Sequence, residues 1–174
     1  MTAPELNRPV PIDSLGEAPR QLTVEADEAE RAALAKRFGL IAIERLSAEA
    51  TLTRAGEEVR AVGRLDSLVV QSCVASAVPV EAVLAEPFDL VFRPHPDGEH
   101  DEEVELGEGE LDTIFYEGDA IDLGEAMAQT LLLGLDPYPR APDAQEALKA
   151  AGVKSEDEAG PFAALAGLRD KLNK

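Results

Sequence analysis

The stretch EVRAVGRLDSLVVQSCVASAVPVEAVLAEPFDLVFRP, from Glu58 to Pro94, decides the fold. Apolar and polar residues alternate on both sides of its single cysteine, and a period of two places each set on one face of a pleated strand. The apolar parity holds Val59, Ala61, Leu65, Val69 and Cys73 in the first half, and Val80, Ala82, Leu84, Phe88, Leu90 and Phe92 in the second. We therefore predict a long antiparallel strand pair with one buried face and one solvated face.

Further strand-like segments extend this pair into a sheet. Residues 40–54 alternate in the same way and lead into the pair through a turn at 54–57, while 21–25 and 112–116 are short strand-like runs. Residues 8–12 contain two prolines, which cannot donate to a ladder, so this arm must be an edge strand or an extended segment. The sequence thus predicts an antiparallel β-meander of at least three strands.

Capping patterns predict the helices that flank this sheet. Asp27 lies three residues before Glu30, and Gly39 follows a basic last turn, so a helix is expected between them. A second amphipathic helix is expected from Asp122, which lies three residues before Glu125, to Gly134. The predicted fold class is α+β: an antiparallel β-meander sheet flanked by helices, with an acidic loop and a C-terminal amphipathic helix.

Composition divides the chain into a domain and a tail. Residues 1–151 are predicted to form a single α+β domain that closes with a short helix at 143–151. Residues 152–160 (GVKSEDEAG) are typical of a flexible linker. Residues 161–174 predict a helix with Pro161 in its first turn and an apolar stripe of Phe162, Leu165, Leu168 and Leu172, with Arg169 beside it.

The net charge of −19, from 35 acidic and 16 basic residues, is the strongest global property of the chain. Such a chain repels phosphate backbones and attracts basic proteins. Acidity also favours solubility by itself, and both interpretations stay open at this point. One cysteine fits a reducing compartment, and we find neither a signal-peptide pattern nor an apolar run of membrane-spanning length. We expect a cytoplasmic protein.

No catalytic, cofactor-binding or metal-binding residue is predicted. Cys73 starts a Cys-x-x-Ser turn, and one thiolate cannot form a structural zinc site, so we expect a small buried residue at a strand end. Residues 95–110 (HPDGEHDEEVELGEGE) predict a solvated acidic loop. Calcium binding by Asp97, Asp101 and Glu103 is one alternative, but the loop lacks the order of an EF-hand. Transition-metal binding by His95 and His100 with a carboxylate is another, and solvated charge is the expected state of the loop.

Five motifs in a fixed order carry a family resemblance: Gly63–Leu65, Gln71–Ser76, Ile121–Glu125, Leu133–Arg140 and Pro161–Leu168. With them the chain resembles the YceD family, the large ribosomal RNA subunit accumulation proteins, over nearly its whole length. The resemblance implies a role in the synthesis, processing or stability of 23S rRNA, without an assigned enzymatic activity. Many members have a second cysteine where this chain has Ser76, so metal binding is not carried over.

Three functions follow as hypotheses, in descending order. The first is a non-enzymatic factor for large-subunit rRNA that binds a basic ribosomal or assembly protein; its partner-binding candidates are the stripe residues Phe162, Leu165, Leu168 and Leu172, together with Arg169, Tyr138 and Arg140. The second is direct rRNA binding through Arg60 and Arg64 on the solvated face. The third is a metal-dependent hydrolase that uses carboxylates of the acidic loop, such as Asp101 and Glu103.

Overall fold

The computed structural model describes residues 5–16, 18–95 and 112–153. Their elements follow in the order β1 (Pro9–Pro11), a 3-10 turn (Ile12–Ser14), β2 (Arg20–Glu25), α1 (Glu28–Phe38), β3 (Ala42–Ala55), β4 (Glu58–Ser72), β5 (Pro79–Pro94), β6 (Thr113–Tyr116), β7 (Ala120–Asp122), α2 (Leu123–Gly134) and α3 (Ala144–Ala150). The chain forms two compact units, Met1–Gln71 with Glu81–Pro137 and Ser72–Val80 with Tyr138–Lys174. The acidic loop after His95 and the helix at 161–174 lie outside the described residues, and the single domain over 1–151 stays a prediction.

The first unit is built on a five-stranded sheet with the order β2-β3-β4-β5-β6. β3 pairs antiparallel with both β2 and β4. Glu58 contacts Arg93 and Arg60 contacts Asp89, so β4 and β5 also run in opposite directions. The predicted α+β class and meander are confirmed. The parallel pairing of β6 with β5 was not predicted, because a four-residue run does not indicate its direction.

The predicted alternation is confirmed by burial. One parity of each long strand is buried, namely Val59, Ala61, Leu65 and Val69 on β4 and Leu84, Phe88 and Phe92 on β5. On β3 the register places Ala48 beside Leu65 and Leu52 beside Ala61, so the same face continues across the sheet. This face must be covered, because burying apolar surface is the main favourable term in folding.

One carboxylate joins the elements that cover the sheet. Oδ1 of Asp122 accepts the N–H of Arg8 at 3.0 Å, of Gly124 at 2.9 Å and of Glu125 at 3.1 Å, so it caps α2 and holds the N-terminal arm. The arm forms β1, which pairs antiparallel with β7. The guanidinium of Arg8 in turn donates to both carboxylate oxygens of Glu30 in α1, at 2.6 and 2.8 Å.

A second arginine links the same three elements. Arg37 near the end of α1 donates to Glu5 in the arm at 2.9 Å and to both oxygens of Glu125 in α2, at 2.8 and 2.7 Å. Because the guanidinium stabilises the ionised carboxylate, the pKa of Glu125 lies below its ordinary value. The predicted starts and ends of both helices agree with the structure, including the reciprocal capping box of Asp27 and Glu30.

Two glycines allow backbones to approach one another closely. A Cβ on Gly63 would lie 1.9 Å from the carbonyl oxygen of Glu49 and 2.7 Å from Cζ of Phe88. A Cβ on Gly124 would lie 2.3 Å from the carbonyl oxygen of Leu6. Neither position therefore accepts a side chain unless the backbone shifts.

Within the described ranges, no helix is long and apolar enough to cross a membrane.

We expect Gly63→Ala to lower the free energy of unfolding by about 2 kcal/mol, because the added methyl group overlaps backbone and core atoms. Gly16→Ala is the matched control, since a Cβ there meets no described atom within 4 Å. Its effect should stay within about 0.5 kcal/mol. Urea unfolding with unchanged slope measures both; equal midpoints for the two variants would contradict the close approach.

Candidate partner-binding surface

The second unit is built where the turn between β4 and β5 meets the segment that leads to α3. The N–H of Val74 donates to the carbonyl oxygen of Pro139 at 2.9 Å, and the N–H of Ala141 donates to Sγ of Cys73 at 3.3 Å. A small apolar cluster forms around these bonds from Cys73, Ala141 and Ala144, with Ala75 and Val80 partly buried beside it. The predicted burial of Cys73 is confirmed, since its exposed fraction is 3%.

The turn itself is closed by backbone hydrogen bonds. The N–H of Cys73 donates to Val78 and the N–H of Ala77 donates to Cys73, each at 2.9 Å. Ala77 adopts a left-handed φ of 58°, which is unusual for a residue with a Cβ. The turn thus holds a fixed shape although glycine is absent from it, and it presents Val74 and Val78 on the outside.

Part of the described surface of this unit is apolar and exposed. We define the turn surface as Val74, Val78, Tyr138 and Arg140. Tyr138 is 72% exposed although its neighbour Pro139 is buried, and Val74 and Val78 are 54% and 43% exposed. Aromatic residues and arginine are enriched in protein interfaces, because both offer apolar area together with a polar group. The turn surface is therefore a candidate for binding a protein.

The structure brings together only some of the predicted partner-binding residues. Tyr138 and Arg140 lie on the turn surface, next to Val74 and Val78, which sequence reasoning did not single out. Their exposure could not be predicted, because valine at a strand end is more often buried. The remaining candidates fall outside the described residues: Phe162, Leu165, Leu168, Arg169 and Leu172.

Cys73 lies in an environment that favours its thiolate. The hydrogen bond from the Ala141 N–H is the main cause that lowers the pKa of the Cys73 thiol from 9.0 to about 7, and the N–H groups of Ala75 and Ser76 act in the same direction. The nearby Ser76 hydroxyl also lowers this pKa, although it forms no hydrogen bond with the described residues. Burial of the thiol raises its pKa and so opposes these effects.

The described residues contain no group of three or more histidine, cysteine or acidic side chains that could hold a metal ion. His95 instead packs its ring against Phe115, with 5.8 Å between the ring centroids. Asp97, His100, Asp101 and Glu103 lie outside the described residues.

The two arginines predicted as RNA contacts are each matched by a carboxylate. Arg60 on β4 forms two hydrogen bonds to Asp89 on β5, one of them 2.7 Å from Nε to Oδ1. This contact raises the pKa of Arg60 and lowers that of Asp89, and both groups stay charged. Nε of Arg64 lies 3.4 Å from Oδ1 of Asp66 on the same strand. The solvated face therefore carries paired charges at these positions rather than a basic patch.

A family model described as "Large ribosomal RNA subunit accumulation protein YceD" matches residues 61–169, which is more than half of the chain. The matched range includes the turn surface, Arg64 and α2. Neither the curated proteins nor the solved structures provide a match.

We expect Cys73 to make stability depend on pH. Its pKa is lower in the folded chain, so its ionisation stabilises the fold fully above pH 9.0, and this contribution is lost as the pH falls through about 7. Cys73→Ser is the matched variant, because the hydroxyl still accepts the Ala141 hydrogen bond but does not ionise in this range.

Urea unfolding of both chains at several pH values measures this effect. The difference in free energy of unfolding between wild type and variant should grow as the pH rises from about 7 to 9.0. The ultraviolet absorbance of the thiolate in the folded protein gives the pKa independently. A pH-independent difference between the two chains, or an unshifted thiol titration, would contradict the assigned environment.

Proposed function

The chain belongs to the YceD family, whose description concerns the accumulation of large ribosomal subunit RNA, and from that membership we propose that it acts by binding a basic ribosomal or ribosome-assembly protein. It acts in the cytoplasm and catalyses no reaction in this proposal. The family is described by the RNA that accumulates rather than by a reaction. Its contribution to 23S rRNA is then indirect, because the protein partner contacts the RNA.

The pairing of Arg60 and Arg64 with carboxylates is the observation that carries the choice of a protein partner. Phosphate contacts supply most of the affinity of proteins for nucleic acids, and they need basic side chains. Arg60 would have to leave Asp89, and the chain as a whole has a net charge of −19. Direct rRNA binding would require breaking the Arg60–Asp89 ion pair and overcoming the repulsion between the acidic chain and the phosphates. A basic protein is instead attracted by the same acidic surface.

The exposed turn surface supports the proposal independently of charge. Tyr138 has an aromatic ring that is 72% exposed, beside the exposed Val74 and Val78. Exposed aromatic anchors of this kind contribute most of the affinity in many interfaces, while surrounding contacts exclude water. Arg140, next to the buried Pro139, adds a donor for hydrogen bonds to a partner.

An affinity pull-down of the tagged chain from its native lysate, with and without ribonuclease, tests the proposal. We expect a basic ribosomal or assembly protein to be recovered in both arms and to be released as the salt concentration rises, because the contact is partly electrostatic. If every partner disappears in the ribonuclease arm, the contact runs through RNA. Direct rRNA binding by Arg60 and Arg64 then replaces the proposal.

We expect Tyr138→Ala to weaken the affinity for the recovered, purified partner by about tenfold, as truncation of an aromatic anchor does. Phe115→Ala is the matched control, because Phe115 is also an exposed aromatic residue but lies on β6 in the other unit. Titration calorimetry of the three chains measures the effect. Equal affinities for wild type and Tyr138→Ala would remove the turn surface from the contact.

A further inference from the structure

A groove lies between the C-terminal end of α2 and the strand β5, within the first unit. It encloses about 240 Å3. We define the helix-end groove by its lining residues, which come from β5, the start of β6 and the last turns of α2: Glu86, Pro87, Phe88, Asp89, Leu90, Asp112, Thr130, Leu133 and Gly134. None of them takes part in the turn surface.

Close packing at the helix end leaves one leucine on the rim of this groove. A Cβ on Gly134 would lie 3.0 Å from Cγ of Glu86 and 3.1 Å from Cδ2 of Leu84, so the helix end rests directly on β5. Leu131 is fully buried in this arrangement, whereas Leu133 is 86% exposed. Leu133 therefore adds almost nothing to the core, and its apolar surface is available for a contact.

The charges on the lining of the groove have one sign. Glu86, Asp89 and Asp112 are carboxylates, and the described lining residues include no lysine or arginine. Arg60 offsets the charge of Asp89. Glu86 and Asp112 form no ion pair with the described residues, so the rim keeps two negative charges beside the exposed leucine.

This combination selects the chemistry of an occupant. An RNA strand and a second copy of this acidic chain would both bring negative charge to the rim, and like charges in an interface are unfavourable. A purely basic segment would leave Leu133 exposed to water. A segment with lysine or arginine next to one or two large apolar side chains satisfies both features, since the apolar residue contacts Leu133 while the cations contact Glu86 and Asp112.

We infer that the helix-end groove binds a basic, apolar-anchored segment of the protein partner, through Leu133, Glu86 and Asp112 on its rim. The inference rests on the proposed function, which supplies the basic partner, and it adds where that partner docks and what its segment must contain.

Fluorescence anisotropy of three synthetic peptides against the full-length chain tests the groove. The first peptide alternates lysine with leucine, the second has serine in place of leucine, and the third has glutamate in place of lysine. We expect the first to bind and the second to bind at least about tenfold more weakly, because it lacks the apolar anchor. The third should not bind, because its charge matches that of the rim.

Two variants locate the binding. Leu133→Ala and the double variant Glu86→Lys/Asp112→Lys should each lower the affinity for the first peptide by about tenfold or more. Their matched controls are Val83→Ala, which also removes an exposed apolar side chain, and Glu44→Lys/Glu81→Lys, which changes the net charge equally at exposed positions outside the groove. Both controls should bind like wild type, and urea unfolding should show that all four chains fold.

Each other outcome overturns the inference. If Glu86→Lys/Asp112→Lys and Glu44→Lys/Glu81→Lys lower the peptide affinity equally, the peptide is attracted by the net charge of the chain and not by the groove. If Leu133→Ala binds the peptide as well as wild type, the leucine makes no contact. A wild-type dimer that Leu133→Ala abolishes makes the groove an interface between copies. A basic protein recovered equally by wild type and groove variants in the ribonuclease pull-down leaves the proposed function intact and removes the groove, whereas loss of all partners in that arm removes the proposed function itself.

Discussion

The carboxylate of Asp122 is the contact on which the covering of the sheet depends. The sheet buries one face only, and the N-terminal arm, α1 and α2 belong to the layer that covers it. Asp122 caps α2 and accepts the N–H of Arg8, while the Arg8 side chain reaches Glu30 in α1. The N–H groups at the start of a helix have no partner within the helix. One oxygen of Asp122 accepts two such N–H groups of α2 and one N–H of the arm, and the Arg8 side chain extends this link to α1. Alanine at this position would leave these three N–H groups without their acceptor.

Four residues of the motifs that carry the family resemblance have a structural role in the fold. Gly63 and Gly124 permit backbone approaches that any Cβ would block. The buried Gln71 donates from Nε2 to the carbonyl oxygen of Asp136 at 2.9 Å, within the first unit. Cys73 accepts the N–H of Ala141 within the second unit. These residues therefore report a shared architecture. The same motifs also contain exposed residues of the surfaces proposed for binding, Val74, Leu133, Tyr138 and Arg140, whose identity the fold does not demand.

Several arginines of this acidic chain are engaged in contacts within the described part of the fold. Arg8 and Arg37 are engaged with carboxylates of the covering layer, and Arg60 with Asp89 across the sheet. Arg31 donates to the carbonyl oxygens of Ala26 and Ile43 instead. Each of these contacts satisfies the planar donors of a guanidinium and withdraws a cation from possible phosphate contacts. The remaining negative charge is thus displayed to partners, which favours encounter with basic proteins.

The strands β2 to β6, the starts and ends of α1 and α2, and the buried parity could be predicted from the sequence, because they follow from local periodicity and from capping residues such as Asp27 and Asp122. The short strand β7 was not predicted, because three residues show no periodicity. It also predicted the burial of Cys73 and placed Tyr138 and Arg140 among the binding candidates. Three further features follow from the tertiary structure: Arg60 pairs with Asp89, β6 joins parallel to β5, and Leu133 stays exposed while Leu131 is buried. These outcomes depend on which strands and helices become neighbours. Such contacts join residues distant in sequence, and no local pattern encodes them.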